Sequence, residues 1–109
     1  MMINRFIDAR MMARDFPETF QVPSSEEIAT LNVGDFVKVA CEFKDGGERF
    51  WVQIFEVGEK RRWFKGDISN VLGTDLLESW KEGLVGNEVL VFADNIYDYT
   101  YAEANEETA

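Results

Sequence analysis

The spacing of apolar positions changes period along this chain, from helical at the start to alternating further on. Ile3, Phe6, Ile7 and Met11, with Arg14, recur at helical spacing and predict an amphipathic helix over about residues 3–15. Met2, Met12 and Phe16 widen its apolar stripe, and Arg5, Asp8 and Arg10 hold its wet side. Pro17 stops it, because the residue before a proline is pushed out of the α region. Past Pro23, Ser24 and Glu27 have capping-box spacing, and Ile28 and Leu31 give a short second helix its apolar face. Gly34 follows too soon for that helix to be long.

From Val37 the period is two. Val37, Val39, Cys41 and Phe43 alternate with Lys38, Ala40 and Glu42, the pattern of a half-buried strand. Lys44-Asp45-Gly46-Gly47 reads as a hairpin turn. The return strand, Arg49 to Val57, is apolar on both sides: Phe50, Val52 and Ile54 point one way, Trp51, Phe55 and Val57 the other. Such a strand is central, or is covered on its back by the N-terminal helix. Gly58-Glu59-Lys60 turns the chain into Arg62–Ser69, with Phe64 and Ile68 inward. Thr74 or Asp75 can cap one helical turn carrying Leu76, Leu77 and Trp80. Glu88 to Phe92 is the last clear strand, and Asp94 to Tyr101 extends it or runs along an edge.

The expected architecture is therefore α+β, an N-terminal helix packed on a curled antiparallel sheet of four to five strands. Closure into an SH3-like barrel is the limiting form of that expectation. Residues 1–102 form one domain, with a helical lead-in over 1–32 and the sheet over 33–101; residues 103–109 are an acidic tail.

Composition narrows the chemistry. The chain has 109 residues, 46% hydrophobic and 29% charged, with 21 acids against 11 bases and a net charge of −10. That balance repels nucleic acid and anionic membrane, and favours solubility or a basic partner. No apolar run approaches the roughly 18 residues a membrane helix needs. Arg5, Asp8, Arg10 and Arg14 interrupt any signal-peptide core, so a cytoplasmic chain is expected. The single Cys41 fits a reduced, buried thiol.

There is no histidine, which removes every Ser-His-Asp or Cys-His nucleophile and, with one cysteine, any zinc site. No phosphate loop or dinucleotide fingerprint is present, and Asp94-Asn95 with Asp98 has turn spacing, not that of a calcium loop. The expectation is no catalytic residues, no metal and no cofactor. A carboxylate-dependent hydrolase needs only two acids and is the surviving enzymatic alternative.

Phe36-Val37-Lys38-Val39-Ala40, followed by Lys44-Asp45-Gly46-Gly47-Glu48-Arg49-Phe50-Trp51-Val52, resembles the signature of the YegJ-like bacterial proteins. Gly66 with Asn70, Gly86 before a strand ending in Phe92, and Asn95-Ile96-Tyr97-Asp98 with Tyr101 fall in the same order. Ala9, Ala13 and Phe16 ahead of Pro23 are similar as well, so the likeness spans about residues 9–101. The resemblance implies a small α+β domain with no catalytic residues to carry over. The chain departs from it at Tyr99, where the family pattern has tryptophan, and in its acidic tail.

Three features are candidates for binding. Trp51 and Trp63 lie on adjacent expected strands and can pair across the sheet as a platform, unless the N-terminal helix covers them. Tyr97, Tyr99 and Tyr101 alternate at strand period and share a face. Lys60-Arg61-Arg62 with Lys65 gathers four bases at one hairpin tip, suited to an anionic partner or the acidic tail. The functional expectation is a non-catalytic acidic domain that binds a protein partner. Its alternative is an acidic nucleic-acid mimic, an inhibitor or immunity-type protein that blocks a basic groove on an enzyme.

Overall fold

A computed structural model describes residues 6–43, 46–69 and 88–102. In chain order the elements are α1 (Ala9–Asp15), α2 (Ser25–Ile28), β1 (Phe36–Phe43) and β2 (Gly46–Val57), then a 3₁₀ turn at Glu59–Arg61. β3 (Trp63–Ser69), β4 (Glu88–Phe92), a 3₁₀ turn at Ala93–Asn95 and β5 (Asp98–Thr100) complete them. The helical turn expected around Leu76, Leu77 and Trp80, and the tail from Glu103 onward, lie outside the described residues.

All ladders are antiparallel, in the order β4-β3-β2-β1-β5. The two edge strands are thus consecutive in sequence, joined by residues 93–97. Strands about 4.8 Å apart would put the edges of a flat five-stranded sheet about 19 Å apart. A connection that includes a 3₁₀ turn, rising about 2 Å per residue, falls short of that span. The sheet must therefore curl. It stays open all the same, short of the closed barrel, since β5 pairs with β1 and among the described residues no ladder joins it to β4.

The concave side holds the core. Val37, Val39, Phe50, Val52, Ile54, Phe64 and Ile68 are buried there as their alternation requires, with Val89 and Val91 from β4. Ile28, Leu31 and Ile96 close the ends. Cys41 lies on β1 beyond Val39, its side chain outside the described set.

Two details depart from simple alternation. A β-bulge between Ile54 and Glu56 shifts the register, so Val57 stands opposite Phe64 and packs on the core. Val57 therefore does not share an outer face with Trp51, contrary to the sequence expectation. Gly66 sits opposite Ile54 at this bulge, where an added Cβ would collide with the Gln53 carbonyl and the Val52 side chain. Only glycine permits that approach.

The lead-in also differs in extent. Helix α1 begins at Ala9, capped by the Asp8 carboxylate accepting from the Met11 N–H at 2.9 Å. Phe6 and Ile7 precede it in extended chain. The Ile7 N–H donates to the Ala40 carbonyl, and the Phe6 ring meets Phe50 edge-on at 5.8 Å. The helix packs beside the Ala93–Asn95 turn through Ala9, its one buried residue. On the outer face of the sheet Phe36 and Ala40 of β1 are buried, while Trp51 of β2 is half-buried and Gln53 and Phe55 are exposed. Asn95, 6% exposed, fixes this junction: its Oδ1 accepts from Phe92 N–H and its Nδ2 donates to the Ile7 carbonyl. Asp94 pairs with Arg10, and Asp98 Oδ1 accepts from the Tyr99 N–H, so these polar residues are used in turns. Among the described residues no helix is long and apolar enough to cross a membrane.

Candidate functional site

Helix α2 is short but well terminated. Ser24 Oγ accepts from the Glu27 N–H at 3.1 Å, while Glu27 Oε1 accepts from the Ser24 N–H at 2.8 Å. The other Glu27 oxygen accepts from the Tyr99 hydroxyl at 3.0 Å, which ties β5 to α2. Two residues further along the edge, the Tyr101 hydroxyl meets Thr30 Oγ1 at 2.6 Å. Thr30 gives its single hydroxyl proton to the Glu27 carbonyl, so Tyr101 is the donor. The two rings meet edge-on at 5.4 Å. The Asp35 carboxylate, 7% exposed, finishes the edge by accepting from the Asn32 and Ala102 N–H groups.

This bonding shifts two acids in opposite directions. The Ser24 N–H and then the Tyr99 hydroxyl lower Glu27 below the usual carboxylate range. The same Glu27 bond, with some burial, pushes Tyr99 up to about 12 from the ordinary 10. The Tyr99 contribution to stability is therefore complete below about 10 and lost as pH rises toward 12. The Glu27 contribution is present above its unfolded value of 4.5 and lost as pH falls through its lowered one. Phenolate absorbance should thus show one tyrosine ionising late, and Glu27→Gln should bring it back toward 10. Late ionisation that survives Glu27→Gln would assign the shift to burial instead.

Tyr97, just before β5, lies in a different setting. Its N–H donates to the Lys38 carbonyl, and its ring meets Phe20 at 5.6 Å. The Arg49 guanidinium stands over both rings, 5.3 Å from Tyr97 and 5.9 Å from Phe20. On the adjoining outer face Lys38, opposite Trp51 in the β1–β2 register, places its ammonium 5.5 Å from the indole. Two contiguous depressions run from here along β5. One is lined by Phe20, Lys38, Arg49 and Tyr97, the other by Val22, Glu27, Tyr97 and Tyr99, and both include Gln21 and Asp98. Together they form a groove between residues 19–23 and β5, with Lys38 and Arg49 at one end, Glu27 at the other, and Asp98, opposite Lys38 in the β1–β5 register, shared by both halves.

The structure thus brings Tyr97 and Tyr99 to one groove, while Trp51 lies on the outer face beside Lys38 and lines neither depression. Tyr101 lies at the far margin of the groove, 48% exposed, with its hydroxyl engaged. Trp63 is not part of it. Trp51 pairs with Ser69, six residues along β3 from Trp63, and that displacement is about 20 Å at strand rise. The expected pairing of Trp51 with Trp63 is excluded by this register. Trp63 covers Gly58, where any Cβ would collide with the indole, and Lys65 stacks on it at 5.6 Å.

Phe20, Lys38 and Arg49 were not among the candidates drawn from the sequence. Phe20 lies in an aperiodic connection and carries no local signal. Strand alternation already set Lys38 on the face opposite Val37 and Val39, but its place across from Trp51 depends on the β1–β2 register. No protein-family model matches this chain, and neither a curated protein nor a solved structure matches it.

Proposed function

We propose that this chain is a non-catalytic binding module, acting in the cytoplasm, that holds an extended segment of a protein partner in the groove beside β5. The observation that carries this reading is the groove itself. It combines Phe20, Tyr97 and Tyr99 with Lys38 and Arg49 at one end, Glu27 at the other and Asp98 between them. Half-exposed rings provide large contact area at small entropic cost. Opposite charges at the two ends give a bound segment a preferred direction. The residues of the YegJ-like likeness over 36–40 and 46–52 are β1 and the start of β2, the hairpin that carries Lys38, Arg49 and Trp51. The sequence likeness is what supports grouping the chain with those proteins.

The test is capture of the partner from the native host with tagged protein, followed by titration of the purified pair at two ionic strengths. Desolvated ring contacts are not screened, so affinity should fall by less than about tenfold between low and physiological salt. An acidic mimic seated in a basic groove would instead lose about a hundredfold or more, as multiple charge contacts do. That loss would replace the module with the mimic.

A further inference from the structure

The groove beside β5 leaves a second concavity unused. A cleft of about 610 Å³ opens between α2, the Glu59–Arg61 turn and the Ala93–Asn95 turn. Arg10, Lys60, Arg61 and Arg62 line it, four of the chain's 11 bases. On a molecule of net charge −10 this is a local reversal of sign.

Two of the four are committed to the fold. Arg10 pairs with Asp94 at 3.2 Å. Arg61 clamps the end of the α2 segment, donating to the Leu31 carbonyl at 2.8 Å and to Asn32 Oδ1 at 2.6 Å. Lys60 and Arg62 are exposed, and among the described residues neither side chain has a partner.

The backbone under Lys60 makes its presence harder to explain by folding alone. Lys60 and Arg61 have φ of 55° and 53°, and the Arg62 N–H donates to the Glu59 carbonyl. That is a type I′ turn, whose central positions favour Asn-Gly. Arg61 is compensated by its clamp on residues 31 and 32. Lys60 has no such contact among the described residues, and non-glycine residues held in the left-handed region cluster at functional sites. The cleft also has an apolar wall, where Phe92 is 44% exposed beside the buried Ile28.

From these observations we infer that the cleft receives a short acidic segment of a protein partner. Its carboxylates would meet Lys60 and Arg62, and an adjacent apolar side chain would lie against Phe92. Charge favours a short segment over a polyanion. Contacts beyond about 8–10 Å are screened at working salt, so one or two carboxylates feel mainly the cleft. A nucleic acid extending across the surface would meet the remaining excess of acids at close range. This surface is separate from the groove beside β5, and its test does not depend on that reading.

The test uses the full chain and a blocked Glu-Glu-Leu-Glu-Glu peptide as probe, with Gln-Gln-Leu-Gln-Gln as control, titrated by calorimetry and amide NMR. The acidic peptide should bind at least about tenfold more tightly than its neutral counterpart and shift resonances around Phe92 and Ala93. Lys60→Gly and Arg62→Gln should each weaken it by about tenfold. Lys60→Gly should leave the denaturation midpoint unchanged or raised, because glycine accepts the left-handed turn without strain. Equal binding of the two peptides, or unchanged affinity in both variants, would overturn the inference. A lowered midpoint in Lys60→Gly would do so too, by giving Lys60 a structural role. Displacement of the peptide by equimolar inorganic phosphate would reduce the cleft to a simple anion site. About tenfold tighter peptide binding after truncation beyond Ala102 would show that the chain's own acidic tail is the occupant, not a partner.

Discussion

Replacing Phe64 with alanine is expected to cost about 3–5 kcal/mol of folding free energy. The ring is fully buried on β3, an interior strand between β4 and the central β2. Val57 stands opposite it on β2 and Val91 opposite it on β4, so it is enclosed from both neighbouring strands. Partial collapse cannot fill the space, because β2 is held in register by the close approach of Gly66 to the Gln53 backbone. The cost thus combines lost transfer energy with a persistent cavity. A domain of this size holds roughly 5–15 kcal/mol in total, so the variant should sit near the edge of unfolding at ambient temperature. Equilibrium denaturation measures this directly. A change below about 1 kcal/mol would mean that β3 does not pass through the centre of the core.

That central core was legible because its residues obey a simple rule. Val37, Val39, Phe50, Val52 and Ile54 alternate, and every one of them is buried. The capping box at Ser24 and Glu27 was equally readable, since both of its bonds are local. What could not be read depended on tertiary geometry. Periodicity sees Val57 on the wrong side because a bulge adds one residue at Phe55, and nothing in the local pattern announces it. Likewise Ile3, Phe6 and Ile7 have helical spacing, yet Phe6 and Ile7 are extended because Ala40 and Asn95 offer the backbone better partners. Among site residues, the tyrosine alternation placed Tyr97 and Tyr99 along one groove as expected. It could not reveal that the hydroxyls of Tyr99 and Tyr101 are taken by Glu27 and Thr30, which are 72 and 71 residues away in sequence. The two tryptophans were misjudged for a related reason: adjacent strands do not make adjacent residues until the register is known.

That division of labour among the aromatics leads to the largest expected effect on binding. Tyr97→Ala should weaken partner affinity by about 2 kcal/mol or more, roughly thirtyfold, as removal of an aromatic anchor typically does. The ring stands between Phe20 and the residues that line both halves of the groove, so its loss opens the centre of the surface. It also strips Arg49 of one of the two rings beneath its guanidinium. Trp51→Ala should follow with a smaller loss, because Lys38 loses the indole that holds its ammonium at the cationic end. Tyr99→Ala is a poorer probe, since it also releases α2 from β5 through Glu27. Trp63→Ala should leave affinity within about 0.5 kcal/mol, because Trp63 lies at the opposite end of the sheet, packed on Gly58. The measurement is titration of each variant against the captured partner, with unfolding midpoints recorded alongside to separate lost contacts from lost fold. A loss confined to Trp63→Ala, with Tyr97→Ala unchanged, would move the binding surface from β5 to the β3–β4 edge. Rings at that edge border the cationic cleft through Phe92, so such a result would make the cleft the principal site.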